Sequence, residues 1–373
     1  MTQTIGLETF DKDDARRFHH LPGLDGLRAI AALLVVGLHV GSLWKARRAG
    51  GLVPGGYIGV DIFFVLSGFL ITSLLVGEKA KAGVVSFRKF YARRALRLLP
   101  CLYAVMVAYT LYALWIGEPK RRILGEVLSV VLYLANFAQI YWLRPMLHSG
   151  IGATWSLGIE EQFYMLWPAI LVLGILRFAR TRRAVLCTVA AGAIASAVMR
   201  VLVWNLAAHP YPAAYMRPDC RADGLLIGAL CALLWRWRMV PTRGLSTAAL
   251  VCALFLAWFS LFVEAGNFVF DGGFFLVSLA TGVVILAVAM DQSRLIPILE
   301  WAPLRAIGKV SYGLYLWHGI VLRVVAHAWP HAPLYGIAGV GLALTAVVVQ
   351  ASWVLIEQPF LRLKTKVASP VSH

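Results

Sequence analysis

Apolar runs of about twenty residues recur from one end of this chain to the other, and nothing else in it restricts the fold so severely. A helix crossing a hydrocarbon layer ~30 Å thick needs about 20 mostly apolar residues, because there the backbone must satisfy its own hydrogen bonds. Such runs lie at 27–44, 57–76, 98–116, 156–176, 184–207, 222–240, 244–264, 274–290, 310–328 and 335–357, separated by basic or Pro/Gly-containing breaks. The expected architecture is an all-α polytopic membrane protein with about ten transmembrane helices. Of 373 residues 60% are hydrophobic and 14% charged, which leaves almost no sequence for a separate soluble domain. A polar N-terminal segment, 1–20, should precede a membrane domain over 21–363 and a tail over 364–373, in which "TKVASPVSH" reads as disordered. The first segment lacks a small-residue cleavage signature, so no cleaved signal peptide is expected.

An eleventh run, "VLSVVLYLANFAQIYW" at 127–142, is short and contains Asn136 and Gln139. Charge arbitrates. If it does not cross, and the N-terminus is cytoplasmic, the basic stretches 12–28, 77–97, 177–183, 236–243, 294–309 and 362–366 all face the cytoplasm. They hold 24 of the 35 Lys and Arg. Both termini are therefore expected inside, with 127–142 re-entrant or interfacial. The basic "KARR" at 45–48 and "PKRR" at 119–122 depart from this scheme. The net charge of +17 follows from membrane topology, so the partner it implies is the lipid bilayer and not nucleic acid. Five cysteines without a CxxC propose neither a disulfide framework nor a metal site.

Ionisable side chains inside spans are costly, so each one is a functional hypothesis. In "LRAIAALLVVGLHVG" (27–41), Arg28 and His39 are eleven positions apart. That spacing returns to within about 20° of the same helix face and climbs about 16 Å. The second span enters as "GGYIGVDIFFVLSGFLIT", placing Asp61 at a depth similar to that of His39. Asp61 could orient His39 as a general base, or it could pair with a helix terminus or an arginine. In "SFRKFYARRALRLLP", Arg94 and Arg97 share a face, with Arg93, Arg88 and Lys89 nearby. The cluster suits a multiply phosphorylated cytosolic ligand, although positive-inside residues would give the same pattern.

"TWSLGIEEQFYMLWP" gathers Trp155, Ser156, Glu160, Glu161, Gln162, Tyr164 and Trp167, suited to a sugar-binding mouth or to a structural polar network. "MRPDCRADGLLIG" brings Arg217, Asp219, Arg221 and Asp223 together, where local ion pairs are the plain reading. "GKVSYGLYLWHG" sets Ser311, Tyr312, Tyr315 and His318 on the ninth span, and its histidine reads as a packing residue or as a participant in chemistry. "LIEQPF" puts Glu357 at the inner end of the last span, within reach of Arg28 or the arginine cluster.

Taken in order, Arg-x10-His, "FFVLSGFLIT", "RRALRLLP", "WSLGIEEQFY", "SYGLYLWH" and "EQPF" resemble the acyltransferase 3 family, the integral-membrane O-acyltransferases that include O-antigen acetylases. The resemblance runs from about 21 to 363. It implies an inner-membrane enzyme that takes an acyl group, usually acetyl, from cytosolic acyl-coenzyme A. The group goes to a hydroxyl of a glycan or other envelope-associated acceptor. By position, Arg28 and His39 match the family's Arg-x10-His, Ser67-Gly68-Phe69 its SGF stretch, Arg94 and Arg97 its RxxR, and Glu160 and Glu357 its later acidic positions. Some relatives append an extracytoplasmic SGNH esterase domain. This chain is expected to lack one, so any such hand-over would need a separate partner, or the chain would work as a homo-oligomer.

The expected site has His39, Asp61 and Glu160 in catalysis, His39 either as the base that deprotonates the acceptor hydroxyl or as a transient acyl carrier, and Arg28, Arg93, Arg94, Arg97 and Ser67 toward the acyl-coenzyme A donor, while Phe63, Phe64 and Phe69 either line an acyl slot or pack the bundle. Trp155, Glu161, Tyr164, Arg221, Tyr315, His318 and Glu357 face the acceptor, and no metal is needed. The competing reading is a proton-coupled transporter or flippase, whose intramembrane His and Asp would relay protons. It calls for an internal repeat, and none is visible. A purely structural or sensory subunit would leave the shared face of Arg28 and His39 unexplained.

Overall fold

The computed structural model describes residues 21–45, 53–143, 146, 149–207 and 210–368. The expectations for segment 1–20, for basic positions 46–48 and for the last five residues of the tail lie outside them. Among the described residues every regular element is helical. In order they are α1 Pro22–Lys45, α2 Ile58–Ala82, α3 Phe87–Trp115, α4 Lys120–Val131, α5 Ala135–Tyr141, α6 Trp155–Ala169, α7 Leu176–Phe178, α8 Arg182–Leu206, α9 Pro210–Met216, α10 Pro218–Arg236, α11 Leu245–Phe262, α12 Phe274–Ala289, α13 Ile296–Leu299, α14 Ala302–Lys309, α15 Ser311–Ala328, α16 Leu334–Ser352 and α17 Gln358–Ala368. Wider π turns join α6 to α7 after Pro168 (Ile170–Ile175), precede α12 (Val269–Gly273) and join α16 to α17 (Trp353–Glu357).

Eight helical stretches are long and apolar enough to cross a membrane: Pro22–Ser42, Ile58–Ala82, Phe87–Trp115, Gly152–Phe178, Arg182–Leu206, Leu245–Phe262, Val269–Ala289 and Leu334–Leu363. The other two expected spans are helical as well, as α10 and α15. Asp219, Arg221, Asp223 and Arg236 on α10, and His318, Arg323 and His327 on α15, dilute their apolar length. The chain is an all-α polytopic membrane protein.

The doubtful run at 127–142 forms no continuous helix. It is split between the end of α4 and α5, broken at Leu132–Leu134 where Tyr133 adopts a φ of 57°. At about 1.5 Å per residue neither helix spans the bilayer. Its Gln139 serves the interior, Nε2 donating to the Gly152 carbonyl at 2.9 Å, and just before the run Glu126, fully buried, accepts from the Tyr109 hydroxyl and from Arg122 Nε. Arg122 also pairs with Glu118 at 2.7 Å. The basic "PKRR" that departs from the charge rule thus contains the counter-ion of a buried carboxylate. At the C-terminal end α17 continues to Ala368, four residues into the stretch that reads as disordered.

Packing divides the chain into two compact units. The first comprises 1–38, 52–85 and 159–309, and the second 39–51, 86–158 and 310–373. In the first unit α10 lies against α2 and α8, and α12 against α10 and α11. Two glycines allow the closest of these approaches. A Cβ on Gly68 of α2 would overlap the Leu225 carbonyl, and one on Gly228 of α10 would overlap the Val65 carbonyl. Small residues let backbones meet where no hydrophobic force separates helix from lipid. In the second unit α15 packs on α16 and α3, and α17 on α3.

Gly68→Ala should therefore destabilise the protein by about 1–3 kcal/mol. Gly339→Ala, on α16 with open space around it, should be neutral or slightly stabilising. Thermal unfolding of both variants in detergent checks this.

Candidate active site

Two buried ion pairs of the first unit tie α10 to α2 and to α8. Asp61 on α2 is 2% exposed and accepts from Arg221 Nη2 of α10 at 2.8 Å. Arg221 lies 3.9 Å over the Phe274 ring, with Phe64 and Tyr215 also around its guanidinium. Beside it Arg200 of α8, fully buried, donates to Asp223 at 2.7 Å and to the Cys220 carbonyl at 2.9 Å. Ser196 donates to the Asp219 carbonyl and accepts from the Asp223 N–H. Two cations and two carboxylates cancel, so the cluster enters the apolar interior without net charge. Of the pairs expected in "MRPDCRADGLLIG", only Arg217–Asp219 is local, at 2.5 Å. Arg221 and Asp223 reach other helices.

In the same unit Ser67 Oγ donates to Glu160 Oε1 at 2.8 Å, and one turn along α2 Trp167 Nε1 donates to Thr72 at 2.9 Å. Glu161 and Tyr164 are buried on α6. Arg28 pairs with Asp25 at 2.5 Å and keeps 18% of its side chain exposed. Phe64 packs on Arg221, and Phe69 lies against Trp235 with ring centroids 5.7 Å apart.

The second unit holds two histidines that face each other. His39 Nδ1 lies 3.0 Å from His318 Nε2, with ring centroids 4.9 Å apart. His318 is 1% exposed and His39 only half-buried. The other nitrogen of His318, Nδ1, lies 3.1 Å from the Leu314 carbonyl.

Three side chains of "SYGLYLWH" each grip a different element. The Tyr312 hydroxyl donates to the Leu98 carbonyl on α3 at 3.1 Å. The Tyr315 hydroxyl donates to the Ala153 carbonyl at 2.9 Å and lies 2.6 Å from Ser156 Oγ. His318 meets His39. Trp155 is buried next to Ser156. Gly319 permits the approach of the 150–156 turn, since a Cβ there would overlap the Gly150 carbonyl.

Arg93 and Arg94 are half-buried and Arg97 is exposed, all on the first turns of α3, which Ser86 caps by accepting from the Lys89 N–H. Arg97 acts electrostatically on Glu357. That carboxylate is buried at the end of the Trp353–Glu357 π turn, 3.5 Å from Ser352 Oγ, with Gly313 leaving room for it.

Asp61, expected either to orient His39 or to pair with a helix terminus or an arginine, holds Arg221, and His39 Nδ1 faces His318. His318 stands eight residues into its run, about 12 Å deep, against about 18 Å for His39, twelve residues into its own.

The acyltransferase 3 family, described as an acyltransferase domain, matches residues 21–356. The chain belongs to this family. A candidate peptidoglycan O-acetyltransferase of Bacillus subtilis is 33% identical over 91% of the chain and 55% of its own length. The peptidoglycan O-acetyltransferase OatA of Listeria monocytogenes is 31% identical over 91% of the chain and 56% of its own length. A candidate O-acetyltransferase of Staphylococcus aureus is 30% identical over 96% and 59%. The chain thus spans a little over half the length of the curated relatives it matches. No solved structure matches it. The family match covers both the Asp61–Arg221 network and the histidine pair.

Breaking a buried ion pair strands a charge, so Arg221→Met or Asp61→Leu alone should cost about 3–5 kcal/mol of stability. The double variant should recover much of that loss. A double-mutant cycle by thermal unfolding in detergent measures the coupling.

Proposed function

We propose that the chain is an integral-membrane O-acyltransferase of a bacterial cytoplasmic membrane. It moves an acyl group, acetyl in the first instance, from cytosolic acyl-coenzyme A to a hydroxyl of a glycan or other envelope-associated acceptor. The observation that carries this reading is the His39–His318 pair in the same unit as Arg93, Arg94 and Arg97. A half-buried imidazole can take and return a proton, and guanidinium forks suit the phosphates of a nucleotide-bearing donor. Membership of an acyltransferase family supports it, as do relatives named for O-acetyl transfer to peptidoglycan. The transporter reading finds no such support.

In this mechanism Arg93, Arg94 and Arg97 bind the donor phosphates. His39 removes the proton of the acceptor hydroxyl as its oxygen attacks the thioester carbonyl carbon. The carbon–sulfur bond breaks, and the imidazolium returns the proton to the coenzyme A thiolate, leaving an ester and a free thiol. Trp155, Glu160, Glu161 and Tyr164 supply the ring faces and carboxylates that a sugar requires, with Ser67 steadying Glu160. Asp61 and Arg221 hold the first unit together, and Glu357 steadies Arg97.

The test is purified protein in proteoliposomes with radiolabelled acetyl-coenzyme A and fragments of bacterial envelope glycan. Acceptor-dependent release of free coenzyme A is expected, and His39→Ala should lower it by at least about 100-fold. Arg94→Ala and Arg97→Ala should each raise KM for the donor by about 10-fold, as expected for a lost charge-assisted hydrogen bond. Retention of most transfer by His39→Ala would remove the assignment.

A further inference from the structure

We infer that His318 is a positioning residue that fixes the tautomer of His39, so that His39 meets the acceptor hydroxyl through Nε2. The inference rests on the reading of His39 as the base. A carbonyl oxygen only accepts, so His318 Nδ1, 3.1 Å from the Leu314 carbonyl, carries that ring's proton. In the neutral ring the lone pair is then on Nε2. The atom 3.0 Å away is His39 Nδ1, which must be the donor of the shared hydrogen bond. A neutral His39 with its proton on Nδ1 has its lone pair on Nε2.

The position of His318 is over-determined. It is almost fully buried, its ring lies 5.9 Å from that of Tyr315, and Tyr315 is tied to the Ala153 carbonyl and Ser156. Gly319, next in the chain, seats the helix against Gly150. One ring is therefore locked and the other is reachable, the division of labour that an orienting group and a base require.

Through the reaction His39 Nε2 takes the hydroxyl proton and later gives it to the thiolate, while Nδ1–H remains donated to His318. His318 neither gains nor loses a proton. Being neutral, it orients the base without bringing a negative charge into the membrane.

The full chain, labelled with 15N-histidine in nanodiscs, tests this directly. At a pH where both rings are neutral, nitrogen spectra assigned with a His39→Gln variant should show His39 protonated on Nδ1 and bare on Nε2. In the transfer assay His318→Phe should lower kcat by about 100-fold while leaving KM for donor and acceptor within about threefold. His318→Gln, whose amide oxygen still accepts from Nδ1–H, should recover about tenfold of that loss. A proton on His39 Nε2 in the unaltered chain would overturn the inference, as would a phenylalanine variant of full activity. Equal loss in the two variants would reduce His318 to packing. If His318→Phe does not fold, the tautomer of the unaltered chain decides alone. An active His39→Ala would instead remove the functional reading beneath it.

Discussion

A polar side chain that enters hydrocarbon must find its partner within the protein, and the interior of this chain is organised by that requirement. Arg221 and Arg200 are among the largest fully buried side chains, and each is neutralised by a carboxylate on another helix. Such pairs add little net stability over well-packed apolar residues, but they are unforgiving of misregister. A helix slipped by one residue would leave a cation unmatched. Gly68 and Gly228 bring α2 and α10 close enough for the Asp61–Arg221 bond to close, so backbone contact and ion pairing impose one register together.

In the second unit α15 meets the same requirement with neutral groups. On α15, Tyr312, Tyr315 and His318 stand three residues apart, and each step of three falls about 60° short of a full turn. The contacts therefore wind slowly around the helix and address three elements in succession: α3 beside Arg97, the turn before α6, and His39. One helix thus keeps a basic cluster, a serine–tyrosine pair and an imidazole in fixed register.

Much of this was legible in the residues. Apolar run length yields the helical class and the position of every long helix, and the short polar run at 127–142 breaks as its Asn136 and Gln139 suggest. The six ordered motifs pointed to the family that the chain belongs to. Pairing across helices was less accessible. Nothing in "MRPDCRADGLLIG" says that Asp223 turns to Arg200 and Arg221 to Asp61, because all four charges lie close enough to pair locally. His318 escaped as a partner of His39 because two neutral rings carry no charge signal, and only their tautomers make them complementary. The extra residue of the Trp353–Glu357 π turn, which aims Glu357, leaves no mark in an apolar pattern.

The weak apolar character of α10 has a consequence for how the chain is made. A segment bearing Asp219, Arg221, Asp223 and Arg236 has little reason to leave the translocon for lipid by itself. Its counter-charges, Asp61 on α2 and Arg200 on α8, lie earlier in the chain and emerge from the ribosome first. For α10 the earlier helices α2 and α8 are a receptor made in advance, and entry into the bilayer and folding onto them become one event.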